Sequence, residues 1–334
     1  MKKALSILLA AVLCFGIAAI GTAGASALTE GNFTYELINS GTEAKITGYV
    51  TRPTDALVIP ATIGTPGVPV TAIGDSAFSR CDGLTSLTIP KSVTSIGQNS
   101  FEYCRGLTSL DIPDSVVSID WRAFQSCSGL TSVNLPNSVT SLGGHAFRDC
   151  TKLTSFVIPN SITEIQAYTF TGDTGLKSIT IPNSVTSVDY YAFMNCTGLT
   201  SVTIPGSIAN VPAAMFQGCT GLTNVTIQSG VTAISAYAFK DCAKLKNITI
   251  PASVTRISSD VFQNCPADLV IHGEKVSTAE TYAAANGIAF KELDPPVLVP
   301  SGTFKLWGRV TGWEKTPLNW FLLIVCFGWI WMAF

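Results

Sequence analysis

Cysteine is the first residue type in this sequence whose spacing invites chemistry. Cys81, Cys104, Cys127, Cys150, Cys196, Cys219, Cys242 and Cys265 all fall on one 23-residue period, and Asp173 occupies the one missing position. Thiolates can ligate metals, form disulfides or act as nucleophiles. Zinc sites, however, use close pairs such as C-x-x-C to converge on one ion. Here each period supplies a single Cys, so the residues form a column rather than a cluster. A free Cys behaves as a small buried hydrophobe. The spacing therefore predicts a reduced core column, with disulfides between neighbouring periods and metal binding as the alternatives.

Other chemistry-bearing residues are sparse. Histidine is limited to His145 and His272, and neither stands in a nucleophile motif. H-E-x-x-H, G-x-S-x-G and P-loop patterns do not occur in the sequence. No catalytic residue, metal ligand or cofactor is assigned, and the protein is read as a non-enzyme. The formal net charge is -2 and no basic run occurs. That argues against a nucleic-acid partner, which needs clustered Lys and Arg to displace counterions.

The cysteines belong to a larger repeat. Phenylalanine recurs every 23 residues at Phe78, Phe101, Phe124, Phe147, Phe170, Phe193, Phe216, Phe239 and Phe262. Ile-Pro or Leu-Pro pairs keep the same period, from Ile89-Pro90 to Ile250-Pro251. One unit, Leu84 to Gly106, reads LTSLTIPKSVTSIGQNSFEYCRG. Leu84, Leu87 and Ile89 have the L-x-x-L-x-L spacing that opens a leucine-rich repeat. The Thr-rich, branched stretch suits a short strand that Pro90 ends. Val93 and Ile96 turn a second apolar pair inward, and a short helical turn carrying Phe101 and Cys104 is expected to close the coil. No unit can bury seven inward positions alone, so the units must stack. The expected fold is a leucine-rich-repeat solenoid of 23-residue units with parallel β-strands and short helical turns, in the α/β repeat class. Eight complete units run from Leu84 to Ala267, and one before them carries an insertion around IGTPGVP. With coils about 4.8 Å apart the array is roughly 40 Å long.

Composition shifts divide the chain further. It has 334 residues, of which 47% are hydrophobic and 13% charged. Residues 1–27 read as a signal peptide: Lys2 and Lys3, an apolar stretch from Ala4 to Ile20, and the small-residue site Ala25-Ser26-Ala27. An uncleaved anchor is the alternative. Residues 28–56 are expected to cap the array, 57–271 to form the solenoid of about nine units, and 272–290 to cap its other end. Residues 291–317, with Pro295-Pro296 and Pro300, read as a linker. Leu318 to Phe334 carries no charge and has Trp320, Trp329 and Trp331 near its ends. As a helix it would reach roughly 25 Å, against about 30 Å of hydrocarbon. It is either a membrane anchor or a sorting signal.

Two surfaces of the array could bind. The first strand of each unit exposes hydroxyls (Thr85, Ser86 and Thr88; Thr131, Ser132 and Asn134; Thr200, Ser201 and Thr203), which could equally form cross-strand ladders of the sheet itself. The two positions before each Ala-Phe or equivalent pair are biased to aromatics: Trp121 and Arg122, His145, Tyr168, Tyr190 and Tyr191, and Tyr237. Variation at a fixed solenoid position suits a binding ridge, unless the rings merely cover the coil edge. These seven residues are the candidate ligand-binding set.

The repeated unit, with Phe and Cys in register, resembles the BspA-like leucine-rich repeats of bacterial surface proteins, over roughly residues 30–290. The segments FTYELINSGTEAKITGY and TYAAANGIAF also resemble those flanking such arrays. The resemblance implies a secreted or surface-displayed protein that functions in adhesion or in binding proteins or glycans, and it supplies no catalytic residues. A structural surface component is the alternative function, and a secreted hydrolase with an unrecognised site is the second.

Overall fold

Successive residues of an extended chain face opposite ways. The Ser-Leu-Thr and Ser-Val-Asn runs of this sequence therefore turn one apolar side chain inward between two outward polar ones. The computed structural model describes residues 27–293; the expected signal peptide, nearly all of the linker and the hydrophobic tail lie outside the described residues. Within them each unit forms one coil with two short strands, such as Ser86–Thr88 and Ser95–Ile96. Strands of neighbouring coils pair in parallel at a shift of one period: Ser109 faces Ser132, and Ser95 faces Ser118, which faces Ser141. All seven predicted inward positions of the unit at Leu84, Leu87, Ile89, Val93, Ile96, Phe101 and Cys104 are buried.

The phenylalanines form one stacked column. Neighbouring ring centroids lie 5.3 Å apart from Phe78 to Phe101 and from Phe101 to Phe124, with nearly parallel planes. Each fully buried ring stabilises the fold by roughly 1.5–3 kcal/mol. Both caps end the column with aromatic residues. Phe33 and Tyr49 pack on Phe78 at 6.4 and 6.3 Å. They come from an antiparallel pair, Phe33–Ile38 with Glu43–Tyr49, whose second strand joins the ladder through Val68–Ile73. At the far end Tyr282 meets Phe262 edge-on at 5.9 Å. Tyr282 belongs to the α-helix Thr278–Asn286, which is capped by the Ser277 side chain and stopped by Gly287 in the left-handed conformation at φ 65°. That helix connects the parallel strands Val270–Gly273 and Ala289–Glu292.

The expected short helical turns are corrected here. The segment around each Phe and Cys is a chain of successive turns, and the α-helix Thr278–Asn286 is the only one among the described residues. Two residues per coil explain why. Asn99 and Tyr103, two before and two after Phe101, have φ of 52° and 61°, and most other coils repeat the pattern. A right-handed helix cannot run through left-handed residues. Instead, backbone bonds alternate in direction. Phe101 N and Tyr103 N donate to Ala123 and Gln125 of the next coil, both at 2.8 Å, while Glu102 N and Cys104 N bond back to Asn99 and Phe101 within the coil.

The cysteines are free, and seven of the eight are fully buried. Each thiol from Cys104 onward donates to the carbonyl of the Phe 26 residues earlier, in the preceding coil: Cys104 to Phe78 at 3.2 Å, Cys196 to Phe170 at 3.1 Å, Cys242 to Phe216 at 3.3 Å. The column is thus a ladder of coil-to-coil hydrogen bonds as well as packed sulfur. Burial pushes the Cys127 thiol up to about 12 and that of Cys265 to about 11.

Candidate functional site

The residue two before each Phe is one of the left-handed pair. At φ near 60° its side chain leaves the coil edge outward, and in the middle of the array those side chains are Arg122, His145, Tyr168 and Tyr191. Stacking of the coils then brings the rings into contact. Trp121 lies 5.7 Å from His145, edge to face. His145 stacks on Tyr168 at 4.6 Å, and Tyr168 stacks on Tyr191 at 4.9 Å. Tyr190 stands perpendicular to both Tyr168 and Tyr191, at 5.7 and 5.5 Å. Six of the seven predicted residues therefore form one ridge across four coils, with Arg122 laid over the Trp121 ring at 3.7 Å. Tyr237 does not join it. The intervening coil carries Ala213 and Ala214 at these positions, and Tyr237 instead holds Lys240 Nζ 5.0 Å from its ring centroid.

Two neighbours of the ridge were not anticipated from sequence. Gly143 has no room for a side chain, since a Cβ there would lie 2.5 Å from the Trp121 backbone nitrogen. Arg148 sits three residues after His145, with its guanidinium 3.4 Å from His145 Nδ1 and 5.8 Å from the Tyr168 ring centroid. Burial, then the charges of Arg122 and Arg148, lower the His145 imidazole to about 4. The ring is therefore neutral at physiological pH and stacks as an uncharged aromatic. Because the inner rings stack face on face, they offer their edges to solvent, and the ridge is most open at its ends. Trp121 is 36% and Tyr190 50% exposed.

Residues 63–177 and 140–269 match the BspA type leucine-rich repeat region, in six copies. The chain belongs to the BspA-type leucine-rich-repeat family. Among solved structures this BspA-type array is similar to a leucine-rich-repeat protein of T. pallidum, at 26% identity over 66% of this chain and 91% of that one, with a TM-score of 0.48. It is also similar to a leucine-rich cell surface protein from Faecalibacterium prausnitzii (24% identity, 80% and 99% coverage, TM-score 0.40). A leucine-rich-repeat protein from Bacteroides ovatus is a third (21% identity, 80% and 100% coverage, TM-score 0.45). No curated protein matches the sequence.

The strand face of the BspA-type array differs from the ridge in how its polar groups are used. Thr131 Oγ1 donates to Thr108 O at 3.0 Å and Thr223 Oγ1 to Thr200 O at 3.0 Å, each one coil back. Asn134 bonds Asp111 at 2.8 Å, and His272 Nε2 lies 3.0 Å from Asn247 Oδ1. Of the strand-face residues named from sequence, Thr131, Asn134 and Thr200 make side-chain bonds along the stack. Among the described residues no three His, Cys, Asp or Glu side chains converge as metal ligands do, and no helix there is long and apolar enough to cross a membrane.

Proposed function

We propose that this chain is an exported, surface-displayed binding or adhesion protein, without catalytic activity, and that the ridge from Trp121 to Tyr191 is where it engages protein or glycan ligands. The observation that carries this reading is the continuity of the ridge. Aromatic side chains in contact run across four consecutive coils, exposed at Trp121 and Tyr190 and partly exposed between them, at a position that holds Gln98-Asn99 earlier and Ala213-Ala214 later. Aromatic and Arg side chains are the residues that most often dominate binding energy. Tyr237, set apart on its own coil, is proposed as a peripheral contact. Residues 1–27 would direct export, and residues 318–334 would hold the array at the membrane's outer side, with 291–317 as spacer.

The test is a screen of the full chain against glycan and matrix-protein arrays, repeated with Trp121→Ala and Tyr190→Ala. Binding that drops at least tenfold in both variants supports the ridge, whereas binding that is unchanged in both rejects it. The bonded strand face favours a second reading, a structural surface component without a ligand, which predicts no hit from any array. Turnover of generic hydrolase substrates would contradict both. Fractionation of cells expressing the full chain or a chain ending at Thr316 tests the tail: equal release of both into the medium rejects the anchor.

A further inference from the structure

One coil boundary combines four irregularities. Between the Phe147 and Phe170 coils both strand ladders are interrupted: Ser132–Asn134 does not pair with Ser155–Val157, nor Ser141–Leu142 with Glu164–Ile165. The phenylalanine column has its widest step here, 6.3 Å. Phe156, at an inward strand position that is aliphatic in the other complete units, wedges edge-on against both rings at 5.0 and 4.8 Å. And the thiol of the ladder is replaced by Asp173. Strand pairing also lapses between Ser86–Thr88 and Ser109–Asp111, and in both ladders between the Phe193 and Phe216 coils, where Ser178–Thr180 does not pair with Ser201–Ile204 nor Ser187–Val188 with Asn210–Val211. That boundary, however, keeps a 5.3 Å Phe step and its thiol bond from Cys219 to Phe193.

Asp173 is fully buried. Its Oδ1 accepts the Cys150 N–H at 2.8 Å, and its Oδ2 is buried with no hydrogen-bond partner. The residue 26 places after a Phe donates to that Phe carbonyl in every other coil pair from Phe78 to Cys265. For Phe147 that residue is Asp173. A carboxylate has no proton to donate, whereas the neutral acid has one.

We propose that this boundary is a pH-responsive joint of the array, in which Asp173 is held as the neutral acid with its Oδ2 proton donated to the Phe147 carbonyl, and that ionisation of Asp173 loosens the joint. The groups around the carboxyl agree. Cys150 and Cys196 flank it from the two neighbouring coils, and the nearby charge is Asp149, of the sign that opposes ionisation and itself bridged by Arg148 at 3.1 Å. Burial pushes the Asp173 carboxyl well above the usual carboxylate range, against the pull of the Cys150 N–H. A raised acid stabilises the closed joint fully below its open-state value of about 4, and that stabilisation is lost as pH rises toward its closed-state value.

Hydrogen exchange of the full chain, corrected for the intrinsic pH dependence, reads the joint directly. In the wild type, protection of residues 145–176 relative to residues 214–245 falls with pH between 5 and 9, by up to about tenfold per unit for one proton. In Asp173→Asn, and in Asp173→Cys, which restores the ladder residue, the ratio stays flat. If the Asn variant does not fold, the Cys variant carries the comparison. A flat wild-type ratio, or the same fall in the variants, overturns the proposal.

Discussion

The thiol of Cys127 donates to the carbonyl oxygen of Phe101 at 3.2 Å, across one coil boundary. The same carbonyl already accepts the backbone N–H of Cys104. Each such carbonyl thus ties its own coil and the next one together. This explains why a small residue with a weak donor recurs at that place rather than Ala or Val.

The repeat thiols should therefore be inert in the folded chain. Burial raises the thiols of Cys104, Cys127, Cys150, Cys196, Cys242 and Cys265 above the range in which a thiolate forms at neutral pH. Thiol labelling of the native full chain, followed by mass spectrometry, should leave seven repeat cysteines unmodified and label the half-buried Cys265 first. Rapid labelling of most of the eight would show that the column is not closed.

Phe170→Ala should cost about 3–5 kcal/mol, as for a buried aromatic truncated in a core. Its ring contacts Phe147, Phe156 and Phe193, so the cavity would sit beside the wedge of Phe156, at a boundary already without strand bonds. A urea midpoint equal to that of the wild type would show that the column does not bear on stability.

The period and the inward columns were legible because they rest on residue type alone. Phe78 through Phe262 announce a repeat, and stacking is then the one way to bury them. The turns were not legible. Left-handed φ is borne by Arg80, Tyr103, Arg122 and Tyr168, residues that give no signal for it, and the tolerant types Asn99, Asp149, Asn195, Asp241 and Asn264 with Gly172 and Gly218 mark only part of the pattern. The ridge was legible as a set of positions. Its continuity was not, because contact between Trp121, His145 and Tyr168 depends on coil spacing and on Arg148 and Gly143. Asp173 stood out as the missing cysteine, but the Cys150 N–H that its Oδ1 accepts is 23 residues away and could not be paired with it from sequence.

His145 should titrate far from an ordinary histidine. Its folded value of about 4 lies below the usual 6.5 because burial and two guanidinium groups disfavour the imidazolium. The unfolded chain takes up this proton first, so stability drops as pH falls from about 6.5 toward 4. Asp173, one coil on, acts in the opposite sense. Imidazole resonances of the full chain, assigned by comparison with His145→Gln, should place His145 near 4. A midpoint near 6.5 would mean that the ring stands in water rather than in the stack.

Gly143→Ala should damage the ridge without touching any aromatic residue. Gly143 N donates to Ile119 O at 2.8 Å, which fixes its backbone against the preceding coil. A Cβ there would meet the Trp121 nitrogen at 2.5 Å and the Asp120 carbonyl carbon at 2.6 Å. Both are backbone atoms, so neither can turn aside, and the coils must separate. A clash of this kind in a packed stack costs about 1–3 kcal/mol, and it would push Trp121 away from His145. Tyr190→Ala is the contrasting variant: its ring is half exposed, and its loss should change stability by no more than about 0.5 kcal/mol. Urea midpoints of the two variants, with hydrogen exchange over residues 119–124, separate the cases. Equal midpoints for wild type and Gly143→Ala would mean that the coil boundary yields freely, and the ridge would then owe its shape to the rings alone.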